Sequence, residues 1–133
     1  MNMRPKIAII DPNTLSALGL KAILQNVMPI MTVDTFGSLA ELQANNPDSF
    51  FHYFTAMAVV VENMQFFMER KRKTIVLTLS LDTMSQLSDF KCLCINVPEK
   101  ELVRSLSKDI SPSKSKSVAK ILSNVVLPHY SIF

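Results

Sequence analysis

The sequence predicts a single α/β domain built on a five-stranded, doubly wound parallel sheet, and three observations carry that prediction. Five short apolar runs recur along the 133 residues, each followed by helical spacing or a helix-start signal. The first run continues without polar alternation, the mark of a strand covered on both faces. Strands that alternate with helices are joined by crossovers, which are right-handed and leave helices on both sides of the sheet. In such a sheet the functional site lies at the carboxyl ends of the strands.

The first run is Arg4-Pro5-Lys6-Ile7-Ala8-Ile9-Ile10, a buried strand closed by Asp11-Pro12. Asp11 suits a helix N-cap and Pro12 the first helical turn, and Leu15, Leu18, Ala22 and Ile23 follow at helical spacing. Met28-Pro29 breaks this helix, and residues 30–36 read as a second strand bounded by Gly37. Ser38 and Glu41 have capping-box spacing, with Leu39 and Leu42 facing the core of a second helix. Asn45-Asn46-Pro47-Asp48 is a turn, after which residues 50–61 read as the third strand, ending in Val59-Val60-Val61. Within it, residues 49–54 read equally as a loop, a helix extension or the first half of the strand.

Residues 64–72 read as a basic connection or short helix; Met64, Phe66, Phe67 and Met68 followed by Arg70-Lys71-Arg72-Lys73 read either as an interaction surface or, the favoured reading, as a buried first part and a solvated second. Residues 73–79 are the fourth strand, 82–87 a short helix and 90–95 the fifth strand. Pro98 opens the last helix, with Glu99 and Glu101 in its first turn and Leu102, Val103 and Leu106 on its apolar face. Periodicity alone does not divide those three between core and interface. The domain is expected to span residues 1–110. Serines and lysines make residues 111–120 a linker, and 118–133 read as a terminal helix or a segment that meets a partner.

Composition narrows the function. At 48% hydrophobic residues the chain can fill one core, and at 19% charged it is not a solvating, disordered polymer. Its longest apolar run, residues 56–61, is far below the roughly 20 residues of a membrane span, and Asp11-Pro12 cuts the first run short of a signal-peptide core. A cytoplasmic protein with no membrane partner is expected. Cys92 and Cys94 share one face of a strand and read as reduced, buried thiols; the histidines, His52 and His129, lie too far away in sequence to suggest zinc. The net charge of +3 is uneven: eleven of the 14 bases fall in residues 62–133. From Ile110 onward come three lysines and no acid, a solvated linker suited at most to non-specific phosphate contact. No Gly-x-Ser-x-Gly element or phosphate-cradling glycine loop is present, with 2 glycines in all, and His52 and Tyr53 stand apart from any nucleophile. The chain is therefore not expected to be an enzyme.

Four segments carry a family resemblance: Ile7-Ala8-Ile9-Ile10-Asp11; Leu15, Gly19-Leu20 and Leu24; Val59-Val60-Val61-Glu62-Asn63-Met64; and Thr74-Ile75-Val76-Leu77-Thr78. Over residues 4–110 the chain resembles the receiver domain of two-component response regulators, a flavodoxin-like fold. It most resembles the subgroup joined to a C-terminal helix-turn-helix DNA-binding domain. The resemblance implies an acid pair that binds magnesium after the first strand, a phosphoryl-accepting Asp ending the third, a Thr or Ser ending the fourth and a Lys ending the fifth. Magnesium and lysine offset phosphoryl charge while the carboxylate attacks in line.

Carried over residue by residue, the first acid is Asp11 and the second is Pro12, which has no side-chain oxygen. Glu62 takes the acceptor place if Val59-Val60-Val61 ends the third strand, as a fixed, partial mimic of a charged acceptor. Thr78, or Ser80 under a register slip, is the switch hydroxyl. Asn96 or Ile95 stands at the lysine position. Without the resemblance, Asp11 reads as a helix cap, Glu62 as a solvated carboxylate and Thr78 as a strand filler. The resemblance thus implies a degenerate receiver without normal Asp phosphorylation, and no cofactor beyond magnesium at Asp11. It would be a dimerisation and signalling module in transcription regulation. Its expected partners are a second copy, meeting through residues 82–110, and a histidine kinase or other signalling protein. DNA is reached only through a C-terminal domain absent here. Two alternatives share the fold: a receiver that still accepts phosphate in a phosphorelay, and a small flavodoxin-like enzyme.

Overall fold

A computed structural model describes residues 5–80 and 87–110, the last two of these by backbone alone. Its five strands are β1 (Lys6–Ile10), β2 (Thr32–Phe36), β3 (His52–Ala56), β4 (Thr74–Thr78) and β5 (Lys91–Cys94). All pair in parallel, in the order β2-β1-β3-β4-β5. The helices are α1 (Thr14–Val27), α2 (Leu39–Gln43), α3 (Met57–Glu62), α4 (Met64–Met68) and α5 (Glu99–Ile110). The fold class is the one the sequence predicts, and the strand order reverses between β1 and β3, the crevice where such sheets place their sites.

Period-two alternation along each strand divides the core into two layers. Ile7, Ile9, Phe54, Ile75, Leu77 and Leu93 face one side, where α1 contributes Leu20, Leu24 and Val27, and α5 contributes Val103 and Leu106. Ala8, Ile10, Tyr53 and Val76 face the other, against Leu42 of α2, Val59 and Val60 of α3, and Phe67 of α4. Two-sided burial explains why these strands read as continuous apolar runs. The structure also divides the apolar face of α5: Val103 and Leu106 are core, and Leu102 packs half-buried against it.

Three sequence expectations are corrected. The third strand is not residues 50–61: it ends at Ala56, and Val59-Val60-Val61 lies in α3. β1 pairs with β3 only as far as Thr55, and β4 continues a single residue past the Ala56–Leu77 pair, to Thr78, so a strand running to Val61 would leave most of its added backbone groups without ladder partners. The second correction concerns the start of α1. Its N-cap is Asn13, whose side chain accepts from the Ser16 N–H at 3.1 Å, while Asp11 accepts from the Asn13 N–H at 2.9 Å in a turn of its own. Third, Leu15 and Leu18 face solvent, 82% and 52% exposed; Ala17, Leu20, Leu24 and Val27 form the buried stripe.

The second helix starts as expected, with the Glu41 N–H donating to Ser38 Oγ at 3.3 Å. The Glu41 carboxylate reaches one residue further back than a capping box requires, accepting from the Gly37 N–H at 2.9 Å. The segment 64–73 divides only in part as expected: Phe67 is buried, Phe66 half-buried, and Lys71 and Arg72 are exposed, but Arg70 and Lys73 are half-buried, Arg70 against the Phe66 ring and Lys73 donating to the Phe50 carbonyl. Of the proposed short helix 82–87 only Leu87 is described, a buried residue in a turn. The linker and tail, 111–133, and residues 82–86 of the suggested dimer face lie outside the described residues.

Candidate functional site

The strand ends that meet at the reversal point are built by register. Asp11 follows β1 and extends its ladder, its N–H donating to the Phe36 carbonyl at 2.9 Å. One step beyond the Ile10–Thr55 pair, Asp11 is level with Ala56, which pairs in turn with Leu77. Thr78 ends β4 opposite Cys94, and the Ile95 N–H donates to the Thr78 carbonyl at 2.8 Å. Asp11, Ala56, Thr78 and Ile95 therefore stand at the same edge, at the ends of the four contiguous strands β1, β3, β4 and β5.

Their side chains offer limited chemistry. Asp11 is half-buried, with Oδ1 engaged by the Asn13 N–H. Pro12 is exposed. Thr78 is buried, and its hydroxyl donates to the Ser80 carbonyl at 3.0 Å, with the Leu93 carbonyl at 3.5 Å. Ala56 carries a methyl group, and Ile95 packs half-buried against the core layer of α1 and α5. Among the described residues no cluster of three or more His, Cys, Asp and Glu has the arrangement of a metal site.

Two of the sequence-predicted residues, Asp11 and Thr78, are brought to this edge. Glu62 is not: it closes α3, exposed, six residues past the end of β3 and about 9 Å further along a helix axis. Asn96 is exposed in the loop after β5, one residue beyond Ile95. Ala56 was missed in the sequence because the valine run downstream has the stronger strand composition. The signal that could have found it is length: a five-residue strand opening at His52 matches β1 and ends at Ala56.

The perturbed titrations lie at the other end of the sheet. Arg70 pairs with Asp48 at 3.0 Å and stacks 3.9 Å over the Phe66 ring; that hydrogen bond and the guanidinium charge hold Asp48 below the ordinary carboxylate range. Tyr53 donates to the Pro47 carbonyl at 2.6 Å, and burial pushes its phenol up to about 12. His52, whose buried Nδ1 has no hydrogen-bond partner, is held below its usual value by burial and then by Lys91. Cys92 and Cys94 form no disulfide and are both half-buried on β5, the Cys92 thiol donating to the Phe90 carbonyl at 3.8 Å.

Among solved structures the chain is similar to RcsB, a response regulator of Salmonella enterica serovar Typhimurium, in a structure bound to promoter rprA in the presence of phosphomimetic BeF3-. The match has a TM-score of 0.63 at 15% identity and covers 96% of this chain and 69% of that one. The fold is that of a receiver domain. No family model and no curated protein matches the sequence. In receiver-fold terms, the edge just described is where the resemblance places the acid pair, the acceptor, the switch hydroxyl and the lysine. In this chain Asp11-Pro12, Ala56, Thr78 and Ile95-Asn96 stand there. No helix among the described residues is long and apolar enough to cross a membrane.

Proposed function

We propose that this chain is a receiver-fold signalling module that regulates transcription through protein contacts and does not accept a phosphoryl group. The observation that carries this reading is the register of β3, which puts Ala56 level with Asp11. An acyl phosphate needs a carboxylate oxygen as nucleophile, and an alanine methyl has none. The remaining groups agree. The Thr78 hydroxyl is satisfied by a backbone carbonyl, and Ile95 and Asn96 bring no cation to the charge that would develop in transfer. Magnesium would have a single carboxylate, with one oxygen already in a turn and no phosphoryl oxygen to complete the shell, so these donors do not fit that ion.

RcsB, caught on promoter DNA, supports placing this fold in transcription. The partners that suit such a module are a second copy of the chain and other cytoplasmic signalling proteins, with base-specific reading left to a helix-turn-helix output domain. The deciding experiment treats the full chain with acetyl phosphate and magnesium and reads intact mass. The unmodified mass is expected throughout. A phosphate adduct mapping to Asp11 or Glu62 would instead make the chain a working phospho-acceptor.

A further inference from the structure

The end of the sheet opposite the strand carboxyl termini collects positive charge. Lys6 opens β1, Lys73 immediately precedes β4 and Lys91 opens β5, while Arg70, Lys71 and Arg72 lie in the turn that leads into β4. Neighbouring strands are about 4.8 Å apart, so Lys6 and Lys73, with β3 between them, are about 10 Å apart along the edge, and Lys91 is one strand further on. The lysines belong to one surface. Lys6 Nζ sits 4.6 Å from the Phe50 ring centroid, and Lys73 Nζ donates to the Phe50 carbonyl at 2.9 Å. Of the nearby acids among the described residues, Asp48 and Glu69 both pair with Arg70, leaving Asp89 against the other five bases.

In the gap between Lys6 and Lys73 stands Phe51, 49% exposed, its N–H tied to the Lys6 carbonyl at 2.7 Å. Cations at intervals along a straight edge, with an uncovered aromatic ring among them, match a polymer that repeats phosphate and offers flat bases. An acidic protein would leave the ring without a matching face. We propose that this amino-terminal edge is a sequence-independent nucleic-acid contact, in which Lys71, Arg72 and Lys91 meet phosphates and Phe51 stacks on an unpaired base. It adds to the function proposed above: phosphate contacts of this kind would position the protein and leave sequence discrimination to another domain.

The test is fluorescence anisotropy of the full chain with a labelled single strand and a labelled duplex of unrelated sequence, over a range of salt concentrations. Log affinity should fall linearly with log salt, and Lys71→Gln with Arg72→Gln should make that slope shallower by about 2. Phe51→Ala should weaken the single strand at least about fivefold and spare the duplex. All three positions are exposed, and circular dichroism confirms the fold of each variant. Three outcomes overturn the proposal. The first is no salt-dependent binding. The second is binding that survives the edge variant and disappears with Lys114→Gln, Lys116→Gln and Lys120→Gln together. The third is displacement of the single strand by polyglutamate as effective as by unlabelled strand, which would make the edge a docking surface for acidic proteins. Acetyl-phosphate labelling is independent of all these readouts, so failure here leaves the proposed function untouched.

Discussion

His52 shows how a single side chain couples this fold to pH. Its imidazole is half-buried at the start of β3 with a buried, unpartnered Nδ1, and burial, then the Lys91 charge, depress its pKa below 6.5, against a smaller opposing hydrogen bond to the Lys73 backbone. The unfolded chain therefore binds the proton more readily than the folded one. The stability linked to His52 is fully present above pH 6.5 and is lost as pH falls through the depressed folded value. Urea midpoints should drop as pH falls below 6.5, and His52→Gln should flatten that part of the profile. An unchanged slope in the variant would show that other groups carry the dependence. Residues that close an apolar run, Asp11 and Thr78, were legible from sequence as strand-end positions. His52 was not: its isolation from any nucleophile was legible, but its burial depends on turns distant in sequence.

The third strand and the helix after it show where composition misleads at the level of an element. Three consecutive valines favour a strand, yet β3 stops at Ala56: β1 pairs with it only as far as Thr55, and β4 runs a single residue past the Ala56–Leu77 pair. In α3 the adjacent Val59 and Val60 are both buried and Val61 is exposed, a pattern that suits a helix and conflicts with a strand, where Val59 and Val61 would share a face. Substitutions can read that difference directly. Val61→Lys should change stability by no more than about 0.5 kcal/mol, whereas Val60→Ala should cost about 2 kcal/mol. Equal, large losses for Val61→Lys and Val59→Lys beside a mild Val60→Lys would return the segment to a strand and bring Glu62 back to its end. The first helix teaches a related lesson. Two apolar stripes were available on α1, and the sheet covers Ala17, Leu20, Leu24 and Val27 rather than Leu15 and Leu18. Periodicity identifies a helix, but the choice of stripe depends on how the chain leaves β1, here through the Asp11 turn and the Asn13 cap.

For the molecule as a whole, the parallel sheet was legible because two-sided burial leaves unbroken apolar runs, and the position of the site followed from the fold class. The residue at the acceptor place was not legible, since it depends on a register that only pairing defines. That register makes a prediction about the entire folding equilibrium. A ligand that binds only the native state stabilises it by RT ln(1 + [L]/Kd), about 2.7 kcal/mol at a hundredfold excess over Kd, which amounts to several degrees in Tm for a domain of this size. A receiver-fold site with its acids in place would respond to magnesium plus beryllofluoride in this way. With Ala56 level with Asp11 and Pro12 beside it, the natural chain should melt at the same temperature with and without the pair of ligands. Pro12→Asp with Ala56→Asp restores two carboxylates beside Asp11, and in that variant the ligands should raise Tm by a few degrees. Crowding three acids lowers the variant's own baseline, so the quantity to compare is the ligand-dependent rise within each protein. A rise of that size in the natural chain would mean that Asp11 works with an acid outside the strand ends, and the reading of a phosphate-independent module would fall.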